Sequence, residues 1–421
     1  MGTFLLRCAL VGACSISTVV LADSAEVSGQ LRGYWIDRPL ADAGPLAQAN
    51  RLQPGIAATT LSVATLQAEL HGSARVDAIT LNSTTTLQTR SLENGAREIG
   101  HDSDGWVNEA YASGKALGWQ WSVGRKVVSW DVGYAFRPND VVQQEVRRTL
   151  VAEALTGRPL LMAEHFDADT AWSLVWVNPI EPQANVGAQE AALAARVYQR
   201  SGAVDWHGFA RQGEHTGTSV GMAAAWVASE AIELHASVRA YQHVDSSVNT
   251  NTGSSLSTTS PWQPTLAGAG QQILVGGTYT NAAQVSLLVE AWHDETALTD
   301  AQWSAWTVRN QALPLWLARS VPAIAVAGNL AWQSNAFGLS NSLRQDNVFA
   351  RITWQRDRWQ TAMDVLYAPA DKGTIATVSV IWSGEHFKIE TGLRVHGGPD
   401  SAVVRQLAVQ RQIYMAGSWA F

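Results

Sequence analysis

Cysteine is almost missing from this chain. The two cysteines, Cys8 and Cys14, both fall in an N-terminal stretch with one charge, Arg7, ahead of an apolar, small-residue run from Cys8 to Leu21. The run closes on Val20-Leu21-Ala22, which fits the small-residue rule for leader cleavage, so residues 1–22 are expected to be a signal peptide. A rival reading takes Val11-Gly12-Ala13-Cys14 as a lipoprotein processing site, but the apolar run continues past Cys14. Without the leader the chain has no cysteine, which excludes disulfides, thiol catalysis and cysteine-based metal sites together. Long apolar runs are missing too. After the leader no stretch reaches 18 consecutive apolar residues, so no membrane-spanning helix is expected. Charge is sparse, 15% of residues with a formal net charge of -7, which gives no bulk attraction to nucleic acid. Enzyme signatures are absent as well. The ten histidines form neither HxxxH nor HExxH, and there is no nucleophile elbow, P-loop or dinucleotide fingerprint. No cofactor and no metal are expected.

What the chain has is tryptophan, 19 residues of it, and alternation. "AIELHASVRAY" puts Ile232, Leu234, Ala236, Val238 and Ala240 on one face and Glu233, His235, Ser237, Arg239 and Tyr241 on the other. "FKIETGLRV" and "NVFARITW" repeat the pattern, with Lys388, Glu390 and Arg394, and then Arg351, on the polar side. A sheet that faces lipid must close on itself, since an open edge leaves backbone groups unpaired in hydrocarbon. Its signature is segments of about ten alternating residues separated by turns. Walking back from Phe421, such segments lie near 411–421, 387–395, 374–382, 359–368, 345–354, 283–293, 272–281, 231–241, 218–228, 203–211, 191–199, 170–178, 159–167, 118–129, 104–113, 74–87, 59–71 and 27–36. The reading is all-β: an antiparallel up-and-down transmembrane barrel of about 18 strands, spanning 23–421. Tight links ("HGSA", "SGKA", "DAD", "RSGA", "SEA", "TNAA", "QRDR", "SGEH") alternate with long ones near 37–58, 88–103, 130–158, 242–271, 294–344 and 396–410. The segment 118–129 breaks parity at Arg125, which predicts a bulge or a strand end. Many tryptophans flank the tight links, including Trp172, Trp226, Trp354, Trp359 and Trp419, as an aromatic girdle at the lipid headgroups would.

The last strand, "QIYMAGSWAF", stops on Phe421 with Trp419 two before it. This ending resembles the C-terminal strand of outer-membrane β-barrels, a group in which it is read by the barrel assembly machinery. "VGRKVVSWDVGYAFRPNDVV" (123–142) resembles a motif of large porin-like families through Gly124, Arg125, Trp130, Asp131, Pro138, Asp140 and Val141. The strand number resembles that of eighteen-stranded channels, both substrate-selective porins and alginate exporters. The resemblance implies a place in the outer membrane of a Gram-negative bacterium. The implied partners are outer-membrane lipid, lipopolysaccharide, the assembly machinery and a small solute, with no nucleic acid; oligomeric state stays open.

In many porins the third loop folds inward and narrows the pore, and the resemblance implies this for 130–158. Its Asp131, Asp140 and Glu145 are interspersed with Arg137, Arg147 and Arg148. Opposed charges across a narrow pore orient polar solutes. "NDVVQQEVRRTLVAEAL" has helical spacing, with Asn139 or Asp140 as a cap; the alternative is a surface loop held by exposed ion pairs. Lumen candidates on the strands are Arg32, Glu69, Arg211, Glu233, His235, Arg239, Arg351, Lys388, Glu390 and Arg394. The loop 294–344 starts with a capping box at Thr299-Gln302, and 323–334 reads as a second apolar segment packed on the first. Were the barrel a hydrolase, Glu69, His71, His165 and His235 would be its candidates. Isolated histidines on a polar face are instead expected to be solvated pore residues. The expected function is a channel for small polar or anionic solutes. The alternatives are an exporter of an acidic polymer, which needs a dominantly basic lumen, and a non-conducting structural or adhesion barrel.

Overall fold

A computed structural model describes residues 24–56, 62–94, 97–144, 150–151, 154–179 and 189–421; the expected leader lies outside them. In chain order the elements are β1 (Ser24–Asp37), α1 (Pro45–Leu52), β2 (Ser62–Val76), β3 (Ile79–Asn94), β4 (Arg97–Ala116), β5 (Trp119–Lys126), β6 (Arg158–Phe166) and β7 (Thr170–Val177). β8 (Ala192–Ser201), β9 (Val204–Gly213), β10 (Gly217–Ser229), β11 (Ile232–Tyr241), β12 (Val244–Asn249) and β13 (Trp262–Ala267) follow. The chain continues through β14 (Gly270–Thr280), β15 (Val285–Asp294), α2 (Asp300–Ala312), α3 (Ala323–Trp332) and β16 (Asp346–Arg356). It ends with β17 (Trp359–Ala368), β18 (Gly373–Ser383), β19 (Phe387–Gly397) and β20 (Arg411–Ala420).

Eighteen of these strands, all but β12 and β13, form one antiparallel sheet in which each pairs with its neighbours in sequence and β11 pairs with β14. β20 closes the sheet onto β1, from Gln30↔Ala420 to Asp37↔Ile413. Phe421 adds the final rung, its N–H and C=O each bonded to Gly29 at 2.9 Å. The Phe421 ring occupies the space a Cβ on Gly29 would take, 2.6 Å from it. That is where the alternating terminus leads: its last residue seals the barrel.

Alternation sorts the faces. On β7, Trp172, Leu174 and Trp176 are exposed outward, and Ser173, Val175 and Val177 are buried inward. On β11, Ile232, Leu234 and Val238 point out, and His235, Ser237 and Tyr241 point in. An outward apolar band is what hydrocarbon requires. Trp172, Trp206, Trp226, Trp354, Trp359 and Trp419 ring the short-turn rim on exposed positions, while Trp35 and Trp176 stand near the opposite rim.

Three expectations need correction. The first two tight turns are not "HGSA" and "SGKA". The chain reverses at Asp77-Ala78 and Leu117-Gly118, where Asp77, Leu117 and Gly118 take φ of 51°, 52° and 82°. Two-residue hairpins need positive φ there. The expected long loop at 88–103 is instead β3 and β4 continuing upward on each other, tied by an Arg90–Asp102 pair at 2.6 Å. Strands beyond the lipid need no apolar face, so alternation fades there. Long and short links also do not alternate strictly, since the loop-side links 95–96, 214–216 and 369–372 are as short as turns.

The parity break at 118–129 is a strand end. β5 stops at Lys126, Gly124 has φ of 129°, and the Arg125 guanidinium donates to the Gly157 carbonyl at 2.9 Å. The long loop 295–345 is helical. α2 starts on the Thr299–Gln302 capping box, and 323–332 is the helix α3. Val326, Ala327 and Leu330 make a stripe on α3 that packs on Leu313 and on Ala49 of α1, which favours helix over strand.

Candidate functional site

After β5 the chain turns into the barrel, and the segment 127–144 stands on two feet. The first is apolar. Val128, Trp130, Val141 and Val142 bury themselves against Leu160, Met162, Val175, Val177, Ala194, Phe209 and Ala223, the inward residues of β6 to β10. Each fully buried valine contributes about 1.5–3 kcal/mol, which holds the segment on that wall.

The second foot is polar and rests on β10, β11 and β15. Asp131, at φ of 97°, accepts from the Ser237 hydroxyl at 2.7 Å and from the Asn139 amide at 2.5 Å. Burial pushes its carboxyl up from the ordinary value, while the Asn139 amide, the Ser237 hydroxyl and the Val132 amide pull it back. Asn139 is fully buried and donates to Ser237 Oγ at 2.8 Å and to the Val238 carbonyl at 3.1 Å. It fits because position 221 is glycine: a Cβ there would lie 1.8 Å from Asn139 Oδ1. Arg239 donates to the Pro138 carbonyl at 3.3 Å. Glu290, fully buried on β15, accepts from the backbone N–H groups of Tyr134 and Ala135 at 2.6 and 2.7 Å, and His235 Nε2 lies 3.0 Å from it. Phe136 stacks on Trp292 and Tyr134 on Phe349, with the Arg351 guanidinium 5.4 Å from the Tyr134 ring.

A cavity of about 630 Å³ lies between 134–137 and 154–156 of the inward loop, 341–343 of the longest loop, and the inward faces of β15 to β20. Its charged lining is three guanidiniums, Arg137, Arg351 and Arg394, and two carboxylates, Asp364 and Glu390. Arg351 pairs with Asp364 at 3.0 Å. Glu390 accepts from the Tyr414 hydroxyl at 2.8 Å, and Arg394 donates to Thr377 Oγ1 at 3.0 Å. Arg137 is braced by the Gly133 carbonyl at 2.8 Å and Ser129 Oγ at 2.9 Å. A second cavity, of about 700 Å³ and lined by Trp121, Leu161, Leu174, Trp176 and Leu193, opens on the outward, lipid-facing side and is no part of the lumen.

The sequence candidates distribute as follows. Arg137, Arg351, Glu390 and Arg394 line the cavity. Asp131 joins the loop to Ser237 of the wall, and Asp140 Oδ1 accepts from the Trp130 amide at 3.4 Å. Glu145, Arg147 and Arg148 lie outside the described residues, as does part of the expected helix; Pro138 to Gln143 forms turns, and Asn139 bonds the wall rather than capping. His235 and Arg239 are bonded to the loop or its anchor, with Glu233 3.1 Å from His235. Arg211 is buried on Glu190 at 2.7 Å. Arg32, beside Gln30 at 3.2 Å, and Glu69, 2.9 Å from His71, sit on β1 and β2. Lys388 lies 3.6 Å from Glu390. The histidines that the hydrolase alternative would use stand on separate strands, each with its own carboxylate: His71 with Glu69, His165 with Asp167, and His235 with Glu233 and Glu290. The Trp419 and Phe421 rings lie 5.0 Å apart, tilted by 38°, on the outer face.

Residues that sequence reading missed include Glu290, Asp364, Tyr134 and Tyr414, and it gave Asn139 and Ser237 no anchoring role. One signal was present. Gly276 lies in register between His235 and Glu290, and a Cβ on it would fall 2.5 Å from His235 Nε2. A strand glycine marks a place where something approaches closely.

No family model and no curated protein matches the chain. Solved structures do. The chain is similar to OccK5 (OpdH) of Pseudomonas aeruginosa at 7% identity, covering 95% of this chain and 98% of that one with a TM-score of 0.55. It is similar to the outer membrane protein opdK of the same organism at 8% identity, 95% and 99% coverage and a TM-score of 0.55. It is also similar to OccAB1 of Acinetobacter baumannii at 10% identity, 95% and 97% coverage and a TM-score of 0.53. At such identities the likeness is one of fold: the chain shares the closed β-barrel architecture of these proteins.

Proposed function

We propose that this barrel is a channel for small polar solutes, anions preferred, which pass between Tyr134–Arg137 of the inward loop and the wall β15 to β20. The observation that carries this reading is the lining of that gap, three guanidiniums against two carboxylates around a cavity of about 630 Å³. Charges fixed on facing sides of a constriction orient and select solutes. Asp364 and Glu390 speak against an exporter of an acidic polymer, whose passage needs uninterrupted positive charge. A purely structural barrel has no use for a charged gap beside a firmly seated crossbar. On this reading the long loops face outward, lipid and lipopolysaccharide surround the apolar band, and Trp419 with Phe421 forms the strand that the assembly machinery recognises.

The test is a planar bilayer. The purified chain is expected to give discrete conductance steps and, under a salt gradient, a reversal potential on the anion side. The double substitution Arg351→Ser with Arg394→Ser should carry that potential toward the cation side. A silent membrane would turn the reading to a plugged or adhesive barrel. Steps with a reversal potential indifferent to the double substitution would move the solute path elsewhere in the lumen.

A further inference from the structure

We infer that Glu290 is the positioning residue of the constriction: it sets where Tyr134 and Arg137 stand, and so the width and charge of the gap. The inference rests on the channel reading above. Glu290 has no exposed surface, yet it lies on the lumen side of β15 and takes both of its oxygens to the loop, Oε1 to the Tyr134 N–H at 2.6 Å and Oε2 to the Ala135 N–H at 2.7 Å. Two adjacent amides aimed at the two oxygens of one side chain form a fork, which fixes the direction from which the loop meets the wall. The carboxylate is itself held in place. His235 Nε2 is 3.0 Å away, and His235 Nδ1 is 3.1 Å from Glu233. The two side chains meet because β14, which runs between their strands, has Gly276 opposite both.

The fork is transmitted to the gap through a tight turn. Gly133 packs so closely under Phe136 that a Cβ would fall 1.9 Å from the Phe136 carbonyl. Arg137 Nε donates to the Gly133 carbonyl at 2.8 Å. Residues 133–137 therefore move as one unit. The carboxylate that holds 134 and 135 fixes the guanidinium of 137 and the ring of Tyr134, which faces Phe349 and Arg351. Arg137 touches the passage; Glu290 acts through it.

The test compares the full-length parent with Glu290→Gln and Gly276→Ala. Gln has one acceptor oxygen and must turn an NH2 toward one of the two amides. The alanine methyl would press on His235 and Glu290 from the neighbouring strand. Hydrogen exchange read by mass spectrometry should rise tenfold or more in peptides spanning 131–138 in both variants, with the strands exchanging as in the parent. Single-channel conductance should rise at least 1.5-fold, with added open-channel noise. Exchange in 131–138 at the parental rate would overturn the inference, as would acceleration spread evenly over the barrel, which would make Glu290 a support of the wall only. Exchange needs no conduction, so a parent that folds but conducts nothing would defeat the channel reading while this measurement still decides the role of Glu290. If Glu290→Gln does not fold, Glu290→Asp, which keeps the charge but withdraws both oxygens by one methylene, gives the same readout.

Discussion

Two stretches of one barrel wall meet the lumen with opposite chemistry. β6 to β10 present Leu160, Met162, Val175, Val177 and Phe209 inward, and β15 to β20 present Arg351, Asp364, Glu390 and Arg394. Their outward faces are alike, with Leu174, Leu193 and Met222 on one stretch and Ile352, Met363 and Leu393 on the other, all exposed to lipid. An apolar patch inside a water-filled barrel is costly unless something covers it, and Trp130 with Val128, Val141 and Val142 does so. The apolar foot of the loop lies on the first stretch, and the cavity remains beside the second. The outside of both stretches is apolar in the same way; the inside records which stretch seats the apolar foot of the loop and which lines the cavity.

The largest effect should come from removing that distinction. Trp130→Asp places a carboxylate among the apolar residues of the first foot. A charge buried without a partner costs several kcal/mol, more than the foot can absorb, so the loop should lift off β6 to β10. Conductance is expected to rise several-fold, because the stretch around 128–130 and 141–142 is no longer held on that wall. A variant with parental conductance would mean that the polar foot alone seats the loop.

A smaller change tests the second foot. Gly221→Ala adds a methyl whose carbon would lie 1.8 Å from Asn139 Oδ1. Asn139 must then give up its bonds to Ser237 and the Val238 carbonyl, and a buried amide left unsatisfied costs about 1–3 kcal/mol. Conductance should rise less than in Trp130→Asp, and exchange in 137–141 should quicken while 128–130 stays protected. Equal protection of both segments would show that Asn139 is not an anchor.

The smallest effect separates the charged wall itself. Lys388→Ser removes a half-exposed ammonium that lies next to Glu390, whereas Arg394→Ser removes a guanidinium from the cavity lining. Salt screens exposed charges beyond about 10 Å at 0.1 M. The reversal potential should shift by a few millivolts for Lys388→Ser and by clearly more for Arg394→Ser, an ordering expected from screening. The reverse order would place the selective region nearer the short-turn rim.

Much of the wall was legible because its cause is local. A residue facing hydrocarbon must be apolar, its neighbour faces the lumen, and Ile232, Leu234, Ala236 and Val238 announce this without reference to any other strand. Turn positions were less legible. "HGSA" reads as a turn by composition, yet Asp77-Ala78 makes it, since the reversal depends on backbone conformation and on where the register with β3 ends. The upper halves of β3 and β4 were read as a loop because strands in water keep no alternation. In the site, Arg137, Arg351, Glu390 and Arg394 could be proposed as charged residues on inward or loop positions. Asp364 and Glu290 could not be ranked above any other inward carboxylate.

The sequence by itself determined a closed antiparallel barrel with an aromatic rim, an alternating last strand, and a charged loop after 118–129, because each follows from period-two contact with lipid or from runs of neighbouring residues. Only the tertiary structure decided which inward residues meet water. Val175 is buried because Trp130 folds back on it, and Glu290 becomes an anchor because Tyr134 and Ala135, more than 150 positions earlier, bring their amides to it. Pairings between a loop and the far wall leave no period in either segment, so they exist only once the barrel has closed around the loop.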